Sequence, residues 1–262
     1  MLLAITGAAG LVGGLIRPRL RRAGHTLRLT DIARIDDLAP GEEFLEASIT
    51  DLDTMTNAFK DVDLVVHLAG HSAERPWEQI LETNIHGGYV ALEAAHRAGV
   101  RNILLGSSLH ATGYVAAADA AAAPVLLPRP DTYYGVGKVA LEALGSVYAD
   151  RYGLSVVSAR ICTVAEDIGA DPRTLSTWLS PDDLVRLIEV VGALQEPGHH
   201  VVWAVSDKTR SWFDLTAGKN IGFFPRDSAQ SRCGENRNVR SDASAVLAGV
   251  FVDAEHPLGG TW

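Results

Sequence analysis

Cysteine is scarce in this chain. Only Cys162 and Cys233 occur in 262 residues, too few for a disulfide framework and without the spacing of metal ligands. The sequence therefore predicts no metal site and a reducing, cytoplasmic setting. Long apolar runs are missing too: no stretch of about 18 uncharged apolar residues occurs, and the opening MLLAITGAAG has no basic region of the secretory type. Neither a membrane span nor a secretory signal is expected. Basic charge is in deficit, with 23 Lys and Arg against 32 Asp and Glu and a formal charge of −9. That balance disfavours a nucleic-acid partner, and any anionic small molecule must be met by local cations. No internal repeat is visible. The one low-complexity stretch, AAADAAAA at 116–123, reads as a solvent-facing loop or a short helix. Nothing in the pattern specifies an oligomeric state, and a homo-oligomer is compatible with it.

What is present is an ordinary globular composition, 47% hydrophobic with a mean hydropathy of +0.09. LLAIT, residues 2–6, stops at a glycine and suits a strand buried on both faces. GLVGGLIRPRLRRAG follows as a helix with Leu11, Leu15 and Leu20 on one side, arginines on the other, and Pro18 bending it. HTLRLTD, EEFLEASITD, DLVVHLAG, RNILLGSS and LSVVSARI read as further strands. Between them lie helices at LDTMTNAFKDV, from Trp77 to Ala98, and over 132–152; the second has Ile80, Leu81, Ile85, Leu92 and Ala95 as its buried stripe. This alternation predicts an α/β fold with a parallel, doubly wound sheet. After Ile161 the rhythm changes. CTVAEDIGADPRTLSTW reads as a long loop, SPDDLVRLIEVVGAL as a helix capped by Ser180 with Pro181 at its first position, and HHVVWAVS as a strand. From about Phe224 the chain is polar and poorly patterned, a tail expected to be mobile beyond Pro257. The predicted organisation is a dinucleotide-binding core over 1–160, substrate-binding segments of the same domain over 161–224, and a tail over 225–262.

TGAAGLVG, residues 6–13, sits where the first strand meets the first helix. There Gly7 permits a tight turn, Gly10 lets backbone approach a pyrophosphate, and Gly13 lets helix pack on strand. The helix N-terminus would receive the phosphates. Alone the triplet is only a tight turn; its place between strand and helix makes it a Rossmann-like dinucleotide site. Asp31 ends the next strand, where a carboxylate would take the adenosine ribose hydroxyls and repel a 2′-phosphate. NAD is therefore the expected cofactor, with Arg28 and Arg34 the nearest cations on the NADP side. Ala9, Leu11, Val12 and Ile32 flank these positions. Asp51 and Leu52 are placed at the adenine, Leu68, Ala69 and Gly70 at the end of the fourth strand, Ser107 at the end of the fifth, and Ile161 at the end of the sixth. Outside such a site Asp31 would be a surface turn acid and Ser107 and Ser108 ordinary strand-end serines. His71 and His110 have no regular ligand spacing.

PDTYYGVGKVALE, residues 130–142, puts Tyr134 and Lys138 four apart in a helical run, one turn apart on one face. A core tyrosine beside a solvated lysine would look the same. With TGxxGxxG, a strand-end Asp, HLAG, Asn84 and the serine pair, however, the chain resembles the extended short-chain dehydrogenase/reductase family of NAD-dependent epimerase/dehydratase type over about residues 1–160. The resemblance implies Tyr134 as acid/base, Lys138 orienting the cofactor ribose and lowering the tyrosine pKa, Ser108 bonding the reacting oxygen, and Asn84 in the cofactor site. HSAERPWEQILETNI, SSLHATGY, RPDTYYGVGK and RTLSTWLSPDDLVRLIE resemble the uronate dehydrogenases, the sugar-acid branch of that family. It implies oxidation of the anomeric carbon of galacturonate or glucuronate by NAD, to a lactone. Ser72, Ser108, His110, Tyr134, Thr163 and Arg173 would then contact the substrate, with Arg173 on its carboxylate. The position before His110 is Leu109, where those relatives carry asparagine, and Thr163 stands where they carry serine. Leu109 bears on which sugar is taken. Relatives that bind nucleotide-sugars carry a larger C-terminal lobe, so a free monosaccharide or its acid is the expected partner. The rival readings are another sugar dehydrogenase, an epimerase or dehydratase that retains its NAD, and a non-catalytic dinucleotide sensor.

Overall fold

The structure, a computed structural model, describes residues 1–167, 172–206, 212–229 and 245–262. In chain order the first elements are β1 (Leu2–Thr6), α1 (Leu11–Arg22), β2 (Thr26–Asp31), β3 (Glu42–Glu46), α2 (Leu52–Ala58) and β4 (Leu64–His67). A continuous helical stretch follows: α3 (Trp77–Gln79), a π-helical turn (Ile80–His86) and α4 (Gly87–Arg97). Then come β5 (Asn102–Ser108), a 3-10 turn (Leu109–Thr112), α5 (Ala117–Ala122), α6 (Tyr133–Tyr152) and β6 (Ser155–Ile161). The remainder holds β7 (Thr163–Val164), α7 (Pro172–Thr177), β8 (Trp178–Leu179), α8 (Pro181–Ala193), β9 (Gly198–Ala204) and α9 (Thr216–Asn220).

Seven strands form one parallel sheet in the order β3-β2-β1-β4-β5-β6-β9. Its central strands are almost wholly apolar because both faces are covered. Ile16 and Leu20 of α1 and Leu184 and Ile188 of α8 belong to the core on one face. Met55, Val90, Leu92 and Leu141 from α2, α4 and α6 belong to the core on the other. Strand order reverses between β1 and β4, and that leaves a crevice beyond the strands' carboxyl ends, where ligands bind in such folds. Among the described residues no helix is long and apolar enough to cross a membrane.

Several sequence expectations are corrected. The third strand ends at Glu46, because Ser48 turns the chain by accepting from Thr50 N at 3.2 Å. In α1 the inner face is Gly13, Ile16 and Leu20, while Leu11 is 74% exposed. Gly13 must face the turn after β1, since a Cβ there would lie 2.4 Å from Ala8 O, and the buried positions count from it. Arg17 is buried in that helix by pairing with Glu42 at 2.8 Å. Leu81, expected in a buried stripe, is 45% exposed because the π turn displaces the helical register. The segment after Ile161 is not one loop: β7 pairs with β8 and α7 lies between them. AAADAAAA includes a helix whose Ala117 and Ala120 are buried.

The expected loose tail is also corrected over 245–262. Leu247 N donates to Val115 O and Ala248 N to Gly113 O, both at 2.9 Å, and both residues are fully buried. Gly259 N reaches Glu74 Oε1 at 2.8 Å. The anchoring residues are too few and too irregularly spaced to form a periodic pattern. Cys233 lies outside the described residues; Cys162 is a free thiol.

At the end of β4, the His67 ring bonds the Thr6 hydroxyl at 2.9 Å in the interior. Burial, aided by the Lys138 charge, pushes its imidazole down to about 3. The unfolded chain takes up a proton near 6.5 that the folded chain refuses until about 3, so His67 favours folding at neutral pH and loses that contribution as pH falls through this window. The stability difference between wild type and His67→Gln is expected to shrink below pH 6.5, by as much as about 1.4 kcal/mol per pH unit. Urea unfolding at stepped pH measures it, and parallel curves would remove His67 as the cause.

Candidate active site

At the carboxyl ends of β1, β4, β5 and β6 opens a cavity of about 1040 Å³. One end is built from glycine. Gly7 adopts φ +71°, and a Cβ on it would lie 2.7 Å from Ala69 N. Gly10 caps α1 without a side-chain hydrogen bond, and Gly10, Leu11 and Val12 line the cavity at the helix N-terminus. Free N–H groups and the helix dipole there suit an anion. Asp31, at the tip of β2, accepts from Ala9 N and Ala33 N, both at 2.9 Å, which fixes its carboxylate at the rim beside Ile32. The cradle, the rim acid and the volume of the cavity fit a dinucleotide.

Beyond it stand the tyrosine, lysine and serine. α6 starts at Tyr133 because Thr132 caps it, its hydroxyl accepting from Gly135 N at 2.9 Å. Tyr134 and Lys138 are both buried and both line the cavity. Lys138 Nζ donates to Gly106 O at 2.6 Å and sits 5.4 Å from the Tyr134 ring centroid. Burial pushes Lys138 down to about 8, with Glu142 acting against it. Ser108 closes β5, its hydroxyl accepts from His110 N at 3.2 Å, and it lines the cavity with Tyr134. The expected lowering of the tyrosine by the lysine is not what the protein's own groups produce. Burial dominates and, with Asp131 adding and Ser108 opposing, pushes Tyr134 up to about 12.

The far wall carries Ser72, His110, Thr163 and Arg173. His110 Nδ1 lies 2.5 Å from Asp131 Oδ2. Thr163 Oγ1 bonds Thr177 Oγ1 at 3.0 Å, and Thr177 in turn donates to Arg173 O at 2.9 Å. Arg173 donates from Nε and Nη2 to Leu247 O, at 3.1 and 2.9 Å, so the guanidinium also anchors the 245–251 segment. Leu109 is 3% exposed and shares an apolar cluster with Val115, Trp203 and Val205 while lining the cavity.

Leu68, Ala69, Gly70, Ser107 and Ile161 also line the cavity. Ser107 donates to Glu142 Oε1 at 2.6 Å, which ties it to the buried Glu142–Arg160 pair. Four expected positions do not line it. Gly13 is the helix–strand contact, Asp51 caps α2 by accepting from Thr54 N at 3.0 Å, and Leu52 packs against the core. Asn84 holds the neighbouring loop, accepting from His71 N at 2.9 Å and donating to His71 O at 3.0 Å. Residues 47–50 take the place assigned to Asp51 and Leu52, because the strand ends early. Sequence reasoning missed Phe251, whose ring lies 4.5 Å from that of His110. It also missed Glu74, a fully buried acid whose oxygens accept from Tyr133 N at 3.1 Å, Tyr134 N at 2.8 Å and Gly259 N at 2.8 Å. A carboxylate at the start of α6 complements the helix dipole. Its only trace in the sequence is its place inside HSAERPWEQILETNI, one of the segments that carry the resemblance.

Residues 3–180 match the family model described as NAD dependent epimerase/dehydratase family. A uronate dehydrogenase from Pseudomonas syringae pv. tomato is 39% identical over 234 residues, 87% of this chain and 82% of its own. The crystal structure of a mutant uronate dehydrogenase from Agrobacterium tumefaciens complexed with NAD is similar with a TM-score of 0.88 at 34% identity, over 98% of each chain. A glucuronic acid dehydrogenase from Chromohalobacter salexigens matches with the same TM-score of 0.88, 34% identity and 98% coverage of each chain.

Glu74→Ala would leave three backbone N–H groups without their acceptor. Unsatisfied buried donors cost roughly 1–3 kcal/mol each, partly relieved by water. A loss of about 2–4 kcal/mol of stability is expected, together with faster hydrogen exchange at Tyr134 and Gly259. Exchange accelerated at Tyr134 but not at Gly259 would show that the acid serves α6 alone.

Proposed function

Because the chain belongs to the NAD dependent epimerase/dehydratase family, we propose that it oxidises the anomeric carbon of a free sugar acid, galacturonate or glucuronate, to the lactone, with NAD as acceptor. The observation that carries this reading is that Tyr134, Lys138 and Ser108 line one cavity, with Lys138 Nζ 5.4 Å from the Tyr134 ring centroid, between a glycine cradle and a wall holding Arg173. The likeness to uronate dehydrogenases supplies the substrate class. In this reading residues 1–160 hold the dinucleotide, 161–224 contribute the sugar side, and 245–262 close it. The setting is the cytoplasm.

When bound in this cavity, NAD would supply the hydride acceptor and the positive charge of its oxidised ring. Tyr134 Oη takes the proton of the anomeric hydroxyl while Ser108 holds that oxygen. A phenol pushed up to about 12 accepts a proton readily but must first lose its own, and cationic charge beside it makes that loss possible. In the protein alone burial outweighs any such charge at Tyr134, but Lys138, at about 8, remains mostly protonated at neutral pH. Its hydrogen bond to Gly106 O also fixes where that charge sits. Asp31 favours NAD over NADP, since a carboxylate held by Ala9 N and Ala33 N accepts from ribose hydroxyls and repels a phosphate. Arg173 meets the sugar carboxylate, for which its planar fork is suited.

Leu109 favours a second reading, a neutral sugar in place of the acid. An isobutyl group packed with Val115 and Trp203 offers no hydrogen bond to a sugar hydroxyl. Incubation with NAD and a panel of uronic acids and neutral aldoses, followed at the absorbance of NADH, separates the two. Accumulating NADH also excludes an epimerase that recycles its cofactor.

Tyr134→Phe is expected to lower turnover by about 10² to 10⁴ and to leave NAD affinity within twofold. Residual activity above about a tenth of wild type would assign the proton to another group. Arg173→Met is expected to raise the sugar-acid KM so that kcat/KM falls more than about tenfold, with NAD affinity unchanged and neutral aldoses little affected. Equal losses on acid and neutral sugars would confine Arg173 to anchoring Leu247.

A further inference from the structure

Asp131 is a carboxylate that the chemistry above does not use. Its side chain is fully buried and does not line the cavity. Room for it is made by two glycines: a Cβ on Gly113 would lie 2.0 Å from Asp131 Oδ2, and one on Gly135 2.9 Å from Oδ1. Oδ1 accepts from the Thr132 hydroxyl at 2.9 Å, and Oδ2 faces His110 Nδ1 at 2.5 Å. Such a carboxylate works against the site's main event, because its charge helps push Tyr134 up. What it offers is an acceptor that cannot donate.

That property decides which hydrogen His110 carries. With a carboxylate on Nδ1, the ring hydrogen belongs there. Nε2 is then the nitrogen left with a lone pair on a ring that lines the cavity, and among the described residues it has no hydrogen-bond partner. A second N–H at Nε2 would be an unpaired donor; a lone pair there is ready for a ligand's hydroxyl. The His110 ring centroid is 5.6 Å from that of Tyr134, and His110 N is already bonded to Ser108 Oγ. A sugar whose anomeric oxygen lies on Tyr134 and Ser108 therefore brings the hydroxyl of its neighbouring carbon to this imidazole.

We infer that Asp131 is a positioning residue that holds His110 in the Nδ1–H tautomer, so that Nε2 accepts a hydrogen bond from the sugar hydroxyl adjacent to the oxidised carbon. The inference rests on the reading of the cavity as a sugar site. It makes His110 and Asp131 together a selector for a hydroxyl at that carbon. A neutral amide cannot do the same work, since it can turn its NH2 to Nδ1 and force the hydrogen onto Nε2.

The test compares wild type with Asp131→Asn on the sugar acid and on its 2-deoxy analogue, with NAD affinity and thermal midpoint as controls of folding. Wild type is expected to prefer the hydroxyl-bearing sugar by more than about tenfold in kcat/KM. Asp131→Asn is expected to lose most of that preference, falling about tenfold on the sugar acid and less than about twofold on the deoxy sugar. A purely structural acid would lower both equally, and that outcome overturns the inference. Should the variant not fold, long-range ¹H–¹⁵N spectra of the wild-type protein read the tautomer directly, with the His110 signals assigned by their loss in His110→Gln. A protonated Nδ1 and a bare Nε2 are expected; the reverse overturns the inference. Failure of the underlying reading looks different: wild type would form no NADH with either sugar, whatever the tautomer.

Discussion

The hydrogen bond from Lys138 to the carbonyl of Gly106 holds the site together. It ties the middle of α6 to the end of β5 at 2.6 Å, with the ammonium buried. To reach, α6 must lie close on its neighbours, and its glycines allow that: a Cβ on Gly137 would be 3.1 Å from Asn84 Cβ, and one on Gly135 would be 2.4 Å from His110 O. The same contact sets Tyr134 one turn earlier and Ser108 two residues beyond Gly106. A change in the helix–strand distance would thus move Tyr134 and Lys138 together relative to Ser108. A single polar bond across a close-packed interface fixes the relative position of three reactive groups.

Around that bond the protein buries acids. Glu142 takes Arg160 through two bonds of 2.8 Å and Ser107 through one of 2.6 Å, under the end of β5. Glu74 receives the first N–H groups of α6, and Asp131 takes His110. Each has its hydrogen-bonding demand met differently, by a guanidinium, by backbone amides or by an imidazole and a hydroxyl, as buried charge requires. Tyr134 sits among them with a hydroxyl pushed up to about 12, a site tuned to wait for positive charge.

The parts of this arrangement that were legible in the sequence are those whose cause is local. A glycine triplet between an apolar run and a helix has one reasonable geometry, and Tyr134 and Lys138 share a face by helical spacing alone. Ser180 as a cap is likewise a matter of four residues, and its hydroxyl accepts from Asp183 N at 2.9 Å. What was not legible depends on distant partners. Glu74 meets Gly259 across 185 positions, and Phe251 meets His110 from the other end of the chain. Leu81 was misplaced by a π turn, which no apolar period announces. Asp51 was drawn to the cofactor because EEFLEASITD looked like one strand, although Ser48 ends it. The fold, being repetitive, was easier to read than the wall of the cavity.

The segment 245–262 gives the enzyme's synthesis a particular order. β9, the last strand of the large sheet, ends at Ala204, and among the described residues the cavity draws on nothing later than Val164 apart from Arg173 and Phe251. The sheet and cradle can therefore close on the ribosome while the residues that flank His110 are still unmade. Leu247 then adds its backbone to Val115 and receives Arg173, and Gly259 finds Glu74. Until then the cavity has its glycine end and lacks Phe251 at the other. The two ends of the cavity thus depend on stretches of chain made at different times.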